Sequence, residues 1–339
     1  MSTKAMHIVY TFNDGFCPQV ATSICSLCEN NKSASAIHFH LLTDKLSTSN
    51  QAKLRKMIMS YNRKVTFYPI ADLKKYFNVD LSAHGWHPVV LARLLVDKIL
   101  PKNINRILYL DGDTLILRNL SSFYATNLKN KVLGMSIEPT IDKKRLQKLN
   151  ISHYFYHNSG VLLIDLALWR QKHAGDKIIN YYVKNYHKLF APDQDAIAIV
   201  MKKDIYDLTP NYNFCNIYNQ YPYWFFKNRL EPLQYFDKET YLNSIKHPSI
   251  IHFLGEDRPW RHGNTHKFTS EYKKYLAKTP WKNASDETGW ETYFVFWRIF
   301  NILIKPFPHL RLFIINNLIP VFGKFRQKQV QKQLQKEQK

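Results

Sequence analysis

Short apolar runs alternate with helical stretches through the first third of the chain, and this alternation restricts the possible folds more than any other feature. Four such runs are predicted strands: HIVYTF (7–12), AIHFHLLT (36–43), VTFYPI (65–70) and RILYLD (106–111). The stretches between them have the apolar spacing of helices, at about 18–29, 47–61 and 88–100. Strands separated by helices form an α/β fold with a mostly parallel sheet, and such sheets bind ligands at the carboxyl ends of their strands.

The pattern becomes more mixed after residue 130. Strands are predicted at 132–138, 160–166 and 249–254, and helices at 177–186 and 193–201. The segment 205–255 is rich in Pro, Asn and Tyr, and it is predicted to consist mostly of loops up to its final strand.

The composition changes near residues 282–290, so we predict one α/β domain over 1–282 and a separate helical tail over 283–339. From residue 290 onward, apolar, aromatic and basic residues are interleaved, with prolines as breaks. This pattern is typical of helices that lie in a membrane interface, with aromatic rings at the headgroup level. Each lysine near an anionic lipid surface adds about 1 kcal/mol to binding. The segment 290–339 is therefore predicted to bind an anionic membrane surface; the alternative is a helical cap packed on the domain.

The charge balance points to an anionic partner. The chain has 48 Lys and Arg against 26 Asp and Glu, which gives a formal net charge of +22. Such a charge favours nucleic acid, an anionic membrane surface or a phosphate-bearing substrate. No recognised nucleic-acid-binding motif accompanies it, so nucleic acid is not an expected partner.

The cysteines and the apolar runs predict the compartment. Cys25 and Cys28 form a C-x-x-C pair, but no second pair or nearby histidine completes a zinc site, so buried thiols are predicted. Free thiols fit a reducing environment. No signal peptide is visible, and no uninterrupted apolar run reaches the ~18 residues that span a bilayer. We therefore predict a cytoplasmic protein.

Two carboxylates follow the fourth predicted strand, in the sequence Asp111-Gly112-Asp113-Thr114. Alternate residues of a strand point the same way, so the carboxylates are expected side by side, where a divalent cation relieves their repulsion. Gly112 lets backbone or ligand approach closely. The alternative is a solvated turn after the strand, in which the side chain of Asp113 caps backbone groups.

The letters D-x-D-x-T resemble the haloacid-dehalogenase phosphatases. In that family Asp111 would be the nucleophile and Asp113 the acid/base. The motif normally opens the catalytic domain, whereas here about 105 residues precede it. A later acidic pair is also expected, but Gly175-Asp176 is followed by Asn180 where the second Asp should stand. This alternative is therefore the less favoured one.

A second resemblance accounts for about three-quarters of the chain. From HIVYTFNDGF to about Trp260 the sequence resembles the family 8 retaining glycosyltransferases, which have a GT-A fold and use UDP-sugars. Further landmarks occur in order: LARLL (91–95), RILYLDGDTLILRNL (106–120), YHNSGVLLIDLALWR (156–170), PDQDAI (192–197), LTPNYNFC (208–215) and IIHFLGEDRPW (250–260).

The resemblance implies a metal and nucleotide site. Asp111, Asp113 and His252 would ligate a Mn²⁺ or Mg²⁺ ion that bridges the UDP diphosphate, and carboxylates with one imidazole suit Mn²⁺. The other positions implied to bind the nucleotide are Thr11, Asn13 and Phe16 in the first turn, Arg93, Gly112, and Gly255 and Arg258 in a closing loop.

The resemblance also places Asn158, Asp193 and Gln194 around the donor sugar, with Asp193 and Gln194 as the catalytic candidates. Taken alone, Asp193 would be a helix N-cap after Pro192. A glutamine is a poor nucleophile, so a mechanism in which the acceptor attacks from the face of the departing diphosphate suits this set. The implied function is transfer of glucose or galactose from a UDP-sugar to a hydroxyl of a glycan or lipid-linked saccharide.

The basic tail adds an expected location, on the cytoplasmic face of the membrane. A third possibility, from a different class, is a non-catalytic protein whose basic charge binds anionic surfaces.

Overall fold

The computed structural model describes residues 5–34, 36–70, 73–77 and 87–318. Within these ranges, seven strands form the main sheet in the order β3-β2-β1-β4-β7-β6-β8, and β5 pairs with β9. The strands are β1 (Met6–Asn13), β2 (Ile37–Asp44), β3 (Lys64–Pro69), β4 (Arg106–Leu110), β5 (Thr114–Ile116), β6 (Leu133–Ile137), β7 (His157–Asp165), β8 (Ile205–Leu208) and β9 (Ile250–His252). Strand β7 runs antiparallel to both neighbours, and the other pairs of the main sheet are parallel. The predicted mostly parallel α/β sheet is therefore confirmed.

Helices lie between these strands and after the last of them. They are α1 (Cys17–Asn30), α2 (Thr48–Ser60), α3 (Lys74–Phe77), α4 (Val96–Ile99), α5 (Ser121–Tyr124), α6 (Lys143–Lys148), α7 (Leu166–Gln171), α8 (Ala174–Asn185), α9 (Pro192–Val200), α10 (Ile217–Gln220), α11 (Tyr223–Leu230), α12 (Lys238–Lys246), α13 (Thr269–Leu276) and α14 (Glu291–Ile304). Short 3₁₀ segments occur at Asp14–Phe16, Pro88–Leu95, Tyr186–Lys188 and Pro210–Tyr212, and residues 308–318 are helical.

Period-two alternation gives the sheet two apolar faces. Ile8 and Tyr10 of β1 pack in one cluster with Ile24 of α1. Val9, between them in sequence, packs on the other face with Leu94 and Trp169. Helices therefore cover both faces, which explains why the strands read as continuous apolar runs rather than as alternating ones.

Local signals define the helix ends. The Ser47 hydroxyl accepts a hydrogen bond from the Asn50 N–H at 3.2 Å and caps α2, as serine commonly does at this position. The four cysteines are free and buried, and burial raises the pKa of Cys28 to about 12. The C-x-x-C pair is thus part of the core, in agreement with the prediction of buried thiols.

Two predictions of local structure were wrong. The predicted helix at 88–100 begins as eight residues of 3₁₀ helix, Pro88–Leu95, before α4. The predicted loops of 205–255 contain β8 and three helices among the described residues, α10, α11 and α12. Their aromatic side chains form a cluster that includes Tyr218, Phe226 and Tyr241. Tertiary packing of these rings supports helices whose composition suggested loops.

The segment after residue 290 forms two helices, of which the second is described to residue 318. Phe294 and Leu312 are buried, and Arg311 lies over the rings of Tyr221 and Trp297. Among the described residues no helix combines the length and the hydropathy that a membrane span requires. Residues 319–339, which the predicted tail includes, lie outside the described ranges.

Candidate active site

Asp111 and Asp113 lie in the turn that joins β4 to β5, at the carboxyl end of β4. Both carboxylates were predicted to lie on one face of a strand. That prediction was wrong, because the strand ends at Leu110. The carboxylates are brought together by the second sheet instead. Thr114 of β5 pairs with His252 of β9, which places the His252 Nε2 atom 3.3 Å from Asp113 Oδ1 and 3.9 Å from Asp111 Oδ2.

Two glycines make room for this arrangement. A Cβ atom on Gly112 would lie 2.6 Å from Val20 Cγ2 and 2.9 Å from the Phe16 ring, so α1 can pack closely beneath the turn only with glycine there. A Cβ on Gly160 would lie 2.0 Å from His252 Cε1. Gly160 of β7 therefore permits the imidazole to reach the carboxylates.

Asn213 orients the imidazole of His252. Its Nδ2 donates to Asn158 Oδ1 at 2.9 Å, which leaves its Oδ1 to accept from His252 Nδ1 at 2.9 Å. The Nε2 atom is then the ring nitrogen that faces the two carboxylates. An imidazole held in this way is prepared to ligate a metal ion.

Arg93 is buried behind the carboxylates. Its guanidinium contacts Asp111 Oδ1 at 2.8 Å and Asp193 Oδ2 at 3.2 Å, and it donates to the Ser159 carbonyl at 2.8 Å. Asp111 also accepts from the Tyr109 hydroxyl at 2.7 Å. Arg93 thus neutralises two acidic side chains of the site, whereas the resemblance had implied a contact to the nucleotide phosphate.

The two carboxylates have opposite pKa shifts. Burial raises the pKa of Asp111; Arg93 lowers it and Asp113 raises it, and the balance is upward. Burial also opposes ionisation of Asp113, but attraction to His252 and Arg258 is stronger, and its pKa falls to about 2. A cation between the carboxylates would favour the anionic form of both.

The residues implied for the donor sugar lie together on the other side of Arg93. Gln194, in the first turn of α9, accepts through Oε1 from the Ser159 N–H at 3.0 Å and donates through Nε2 to Glu138 at 3.1 Å. Asn158 donates to the same Glu138 oxygen at 3.3 Å. The carboxamide of Gln194 therefore has a fixed orientation.

Asp193 does not cap α9. Its carboxylate accepts from the Ser159 hydroxyl at 2.9 Å, in addition to its ion pair with Arg93. The next acidic residue, Asp195, provides hydrogen bonds at the start of the helix. Its carboxylate accepts from the N–H groups of Phe190 and Ala191 at 2.9 and 3.1 Å. Asp193 is thereby left to the site.

The first turn lies next to this centre. The Thr11 hydroxyl is buried and bonds the Tyr109 hydroxyl at 2.8 Å, which links it to Asp111. Asn13 ends β1, and Phe16 packs edge-on against Trp260 with 6.0 Å between ring centroids. Thr11 therefore supports the Asp111 carboxylate through Tyr109, while Asn13 and Phe16 lie in the turn that follows β1.

The loop after β9 adds a cation. Arg258 Nη2 lies 3.5 Å from Asp113 Oδ2, and its Nε donates to the Gly255 carbonyl at 2.9 Å. Gly255 itself has a φ of +80°. The loop thus folds back so that Arg258 faces the acidic pair.

The residues present fit a divalent metal ion. One ligand atom each from Asp111, Asp113 and His252 lies within 4.8 Å of the other two. Carboxylate oxygens suit hard cations such as Mg²⁺ and Mn²⁺, and an imidazole nitrogen is a good transition-metal ligand.

Residues 7–263 match the model of the family described as glycosyl transferase family 8. The chain belongs to glycosyl transferase family 8. It is therefore a glycosyltransferase, and nothing in the geometry or among the relatives favours the phosphatase or the non-catalytic alternative.

Similar proteins extend this result over most of the chain. General stress protein A of Bacillus subtilis is 24% identical over 286 residues, which are 84% of this chain and 97% of that protein. Lipopolysaccharide 1,2-glucosyltransferase of Escherichia coli K12 is 23% identical over 289 residues, 84% of this chain and 81% of that one. The galactosyltransferase LgtC, crystallised with donor and acceptor sugar analogues, superimposes with a TM-score of 0.68 at 20% identity, over 81% of this chain and 96% of that one. This family member thus has a GT-A fold.

Sequence reasoning missed several residues of the site. Glu138 stands at the end of an apolar strand, where a lone carboxylate carries no motif. Asn213 and Ser159 occur within the landmark segments, but only the fold shows that they hold His252 and Asp193. Gly160 could have been noticed as a glycine inside a buried strand, which often marks a close approach.

Proposed function

We propose that this glycosyltransferase moves a hexose, glucose or galactose, from a UDP-sugar to a hydroxyl of a glycan or lipid-linked saccharide, with retention at the anomeric carbon. The main support is the cluster of Asp111, Asp113 and His252 at the carboxyl edge of the sheet. The relatives named for glucosyl and galactosyl transfer support a hexose donor.

Asp111, Asp113 and His252 would hold the ion, Mn²⁺ or Mg²⁺. When bound, the ion neutralises negative charge on the departing diphosphate. Arg258, which now faces Asp113 at 3.5 Å, can turn to the same phosphate oxygens because its side chain is 20% exposed. Asn13 and Phe16 line the adjacent turn, where the nucleoside would bind.

Retention can be achieved without a covalent intermediate. The acceptor oxygen bonds to the anomeric carbon as the bond from that carbon to the phosphate oxygen breaks, and the acceptor proton passes to the departing phosphate. Gln194 is neutral and fixed by Ser159 and Glu138. Its carboxamide oxygen would stabilise positive charge at the anomeric centre, and Asp193 would add negative charge nearby.

Donor hydrolysis tests this proposal. Purified full-length protein is incubated with Mn²⁺ and, separately, UDP-glucose, UDP-galactose and their N-acetyl analogues, and UDP release is followed. We expect release with one hexose donor, its abolition by EDTA, and a loss of about 10²–10³-fold in Asp113→Ala, since the ion that would stabilise the leaving group loses a ligand. Asp176→Ala, which removes a surface carboxylate paired with Lys98, is the matched control and should keep full activity. Release that is unchanged in Asp113→Ala would contradict the proposal.

We also propose that the segment 290–339 holds the enzyme on the cytoplasmic face of the membrane. The exposed side chains Phe296, Ile302 and Phe313 support this, with exposed fractions of 67%, 68% and 67%. Arg298 and Lys305 lie in the same region. An apolar face with basic neighbours is what an anionic lipid surface binds.

Point substitutions test membrane binding better than deletion, because Phe294 and Leu312 belong to the buried core. The double variant Phe296→Ser, Ile302→Ser should bind phosphatidylglycerol vesicles about tenfold or more weakly, as measured by flotation. Each of the two side chains contributes about 1.5–3 kcal/mol when it is buried. Met59→Ser, at a side chain 61% exposed on α2, should bind as the unaltered protein does. Equal binding of all three proteins would contradict the proposal.

A further inference from the structure

Three histidines meet at the amino ends of β1 and β2, away from the active site. Parallel pairing sets His7 beside His38, and Val9 beside His40. His38 and His40 are two residues apart on one strand and therefore point to the same face of the sheet. The register thus brings three imidazoles to one face.

The ring nitrogens are close enough to share one ion. One nitrogen of each ring lies within 4.8 Å of a nitrogen of both others, and His7 Nδ1 is 3.0 Å from His40 Nε2. Two imidazole nitrogens bound tetrahedrally to Zn²⁺ at 2.0–2.1 Å lie roughly 3.3 Å apart. His7 Nδ1 and His40 Nε2 share a hydrogen bond in the structure, so an ion would replace the shared proton, and the His38 nitrogen, within 4.8 Å of both, would move toward it.

Burial keeps these imidazoles neutral. It lowers the pKa values of His7 and His38, and it lowers that of His40 to about 3 with further contributions from the two other rings. Lys64 also lowers the pKa of His38. Neutral imidazole is the form that ligates metals.

Hydroxyl groups hold two of the rings from behind. His40 Nδ1 bonds the Tyr68 hydroxyl at 3.0 Å, which leaves its Nε2 directed at His7. His38 Nε2 bonds the Thr66 hydroxyl at 2.8 Å. Partners of this kind fix the orientation of metal-ligating histidines.

We propose that His7, His38 and His40 form a second metal site, for a transition-metal ion of the Zn²⁺ class. An all-imidazole set suits Zn²⁺, Co²⁺ or Ni²⁺, whereas Mn²⁺ and Mg²⁺ prefer the carboxylates of the active site. The two sites are separate, because His7 and Asn13 lie at opposite ends of β1, about 20 Å apart at 3.3 Å per residue. An ion here would link β1 to β2 and stabilise the sheet.

Metal titration of the full-length protein tests the site, with Zn²⁺ alone as the probe after removal of metals with EDTA and dialysis. Calorimetry should detect one Zn²⁺ equivalent that persists in Asp113→Ala and weakens at least tenfold in His38→Gln and in His7→Gln. His153→Gln, at an exposed histidine, is the matched control and should bind Zn²⁺ normally. Circular dichroism checks that each variant is folded.

Cobalt supplies a readout that needs no variant. Co²⁺ bound to three imidazoles and a water should give the strong visible absorption of a tetrahedral ion, and Zn²⁺ should displace it. The proposal is overturned if wild-type protein gives only the weak octahedral spectrum. It is also overturned if Asp113→Ala removes all Zn²⁺ binding, or if folded His38→Gln and His7→Gln bind Zn²⁺ as tightly as wild type.

Discussion

The two ends of β1 each lie beside a cluster of three potential metal ligands, and the clusters differ in chemistry and in support. At the carboxyl end, Asp111 and Asp113 come from a turn, and His252 comes from a three-residue strand. At the amino end, His7, His38 and His40 all belong to eight-residue strands of the main sheet. Arginines balance the negative charge of the carboxylate cluster, whereas hydroxyl groups hydrogen-bond two rings of the imidazole cluster.

Under the two proposals, the carboxylate cluster is a site at which ligands bind and leave, whereas the imidazole cluster is a site that stabilises the sheet. Under the proposed function, the charges that a turn presents beside Arg93 and Arg258 would rearrange when a diphosphate arrives and leaves. The imidazoles stand on paired strands, so the register of the sheet fixes the spacing of their backbones. The same parallel architecture thus supports chemistry at one edge, as parallel sheets commonly do, and rigidity at the other.

The largest expected effect concerns the buried arginine of the carboxylate end. Arg93→Gln leaves the buried Asp193 and the partly exposed Asp111 without their cation, and breaking a buried ion pair costs about 3–5 kcal/mol. We expect a strongly reduced free energy of unfolding, measured by urea denaturation. Arg55→Gln, at an exposed arginine of α2, should change it by less than about 0.5 kcal/mol.

Arg93→Lys refines that test. A lysine restores the charge but cannot contact Asp111, Asp193 and Ser159 together, because it lacks the planar fork. Its stability should be intermediate. Full stability of Arg93→Gln would mean that the carboxylate end does not depend on this cation.

The next effect concerns the space around His252. In Gly160→Ala the added methyl would lie 2.0 Å from the imidazole, so the ring must move. Overpacking of this kind costs about 1–3 kcal/mol, and displacement of a ligand should also reduce donor hydrolysis. The melting temperature and UDP release measure the two effects. Gly15→Ala, whose Cβ would meet its nearest neighbour, Asn13 Oδ1, only at 4.0 Å, is the control for stability. A Gly160→Ala protein that is unchanged in both measurements would contradict the geometry.

The amino end could be anticipated from sequence only in part. Apolar runs predicted β1 and β2, and H-x-H within a strand places His38 and His40 on one face. The pairing of His7 with His38 depends on register, which single-strand patterns do not encode. The same limit applies at the carboxyl end, where the pairing of β5 with β9 positions His252.

The motifs predicted which candidate residues come together but not all of the contacts between them. Asp111, Asp113 and His252 come together as the resemblance implies. Arg93 was expected to face the nucleotide, yet its surroundings bury it between Asp111 and Asp193. Glu138 was missed because a single carboxylate after a strand has no distinguishing pattern, although Gln194 and Asn158 both donate to it.

The third prediction tests the partner that orients His252. Asn213→Ala removes the acceptor of the His252 Nδ1 proton, so the Nε2 lone pair loses its fixed direction. Loss of such a partner typically costs 10–100-fold in metal affinity or activity. We expect a decrease of that size in Mn²⁺-dependent UDP release, partly restored by higher Mn²⁺ concentration. A decrease that Mn²⁺ does not relieve would assign Asn213 to the sugar site, through its bond to Asn158.

The smallest effect is expected from the corresponding partner at the amino end. Tyr68→Phe removes one neutral hydroxyl from His40 Nδ1 while Thr66 still holds His38 and the strand register still holds all three rings. Zn²⁺ affinity, measured by calorimetry, should therefore fall by about tenfold, at the lower limit of such substitutions. UDP release should remain unchanged, because the two clusters lie at opposite ends of β1. A loss of UDP release in Tyr68→Phe would mean that the two ends of the sheet are coupled, since the hydroxyl that is removed bonds His40 and the ring that packs on the core is kept. Unchanged Zn²⁺ affinity would mean that register alone, without the hydroxyl, orients the imidazoles.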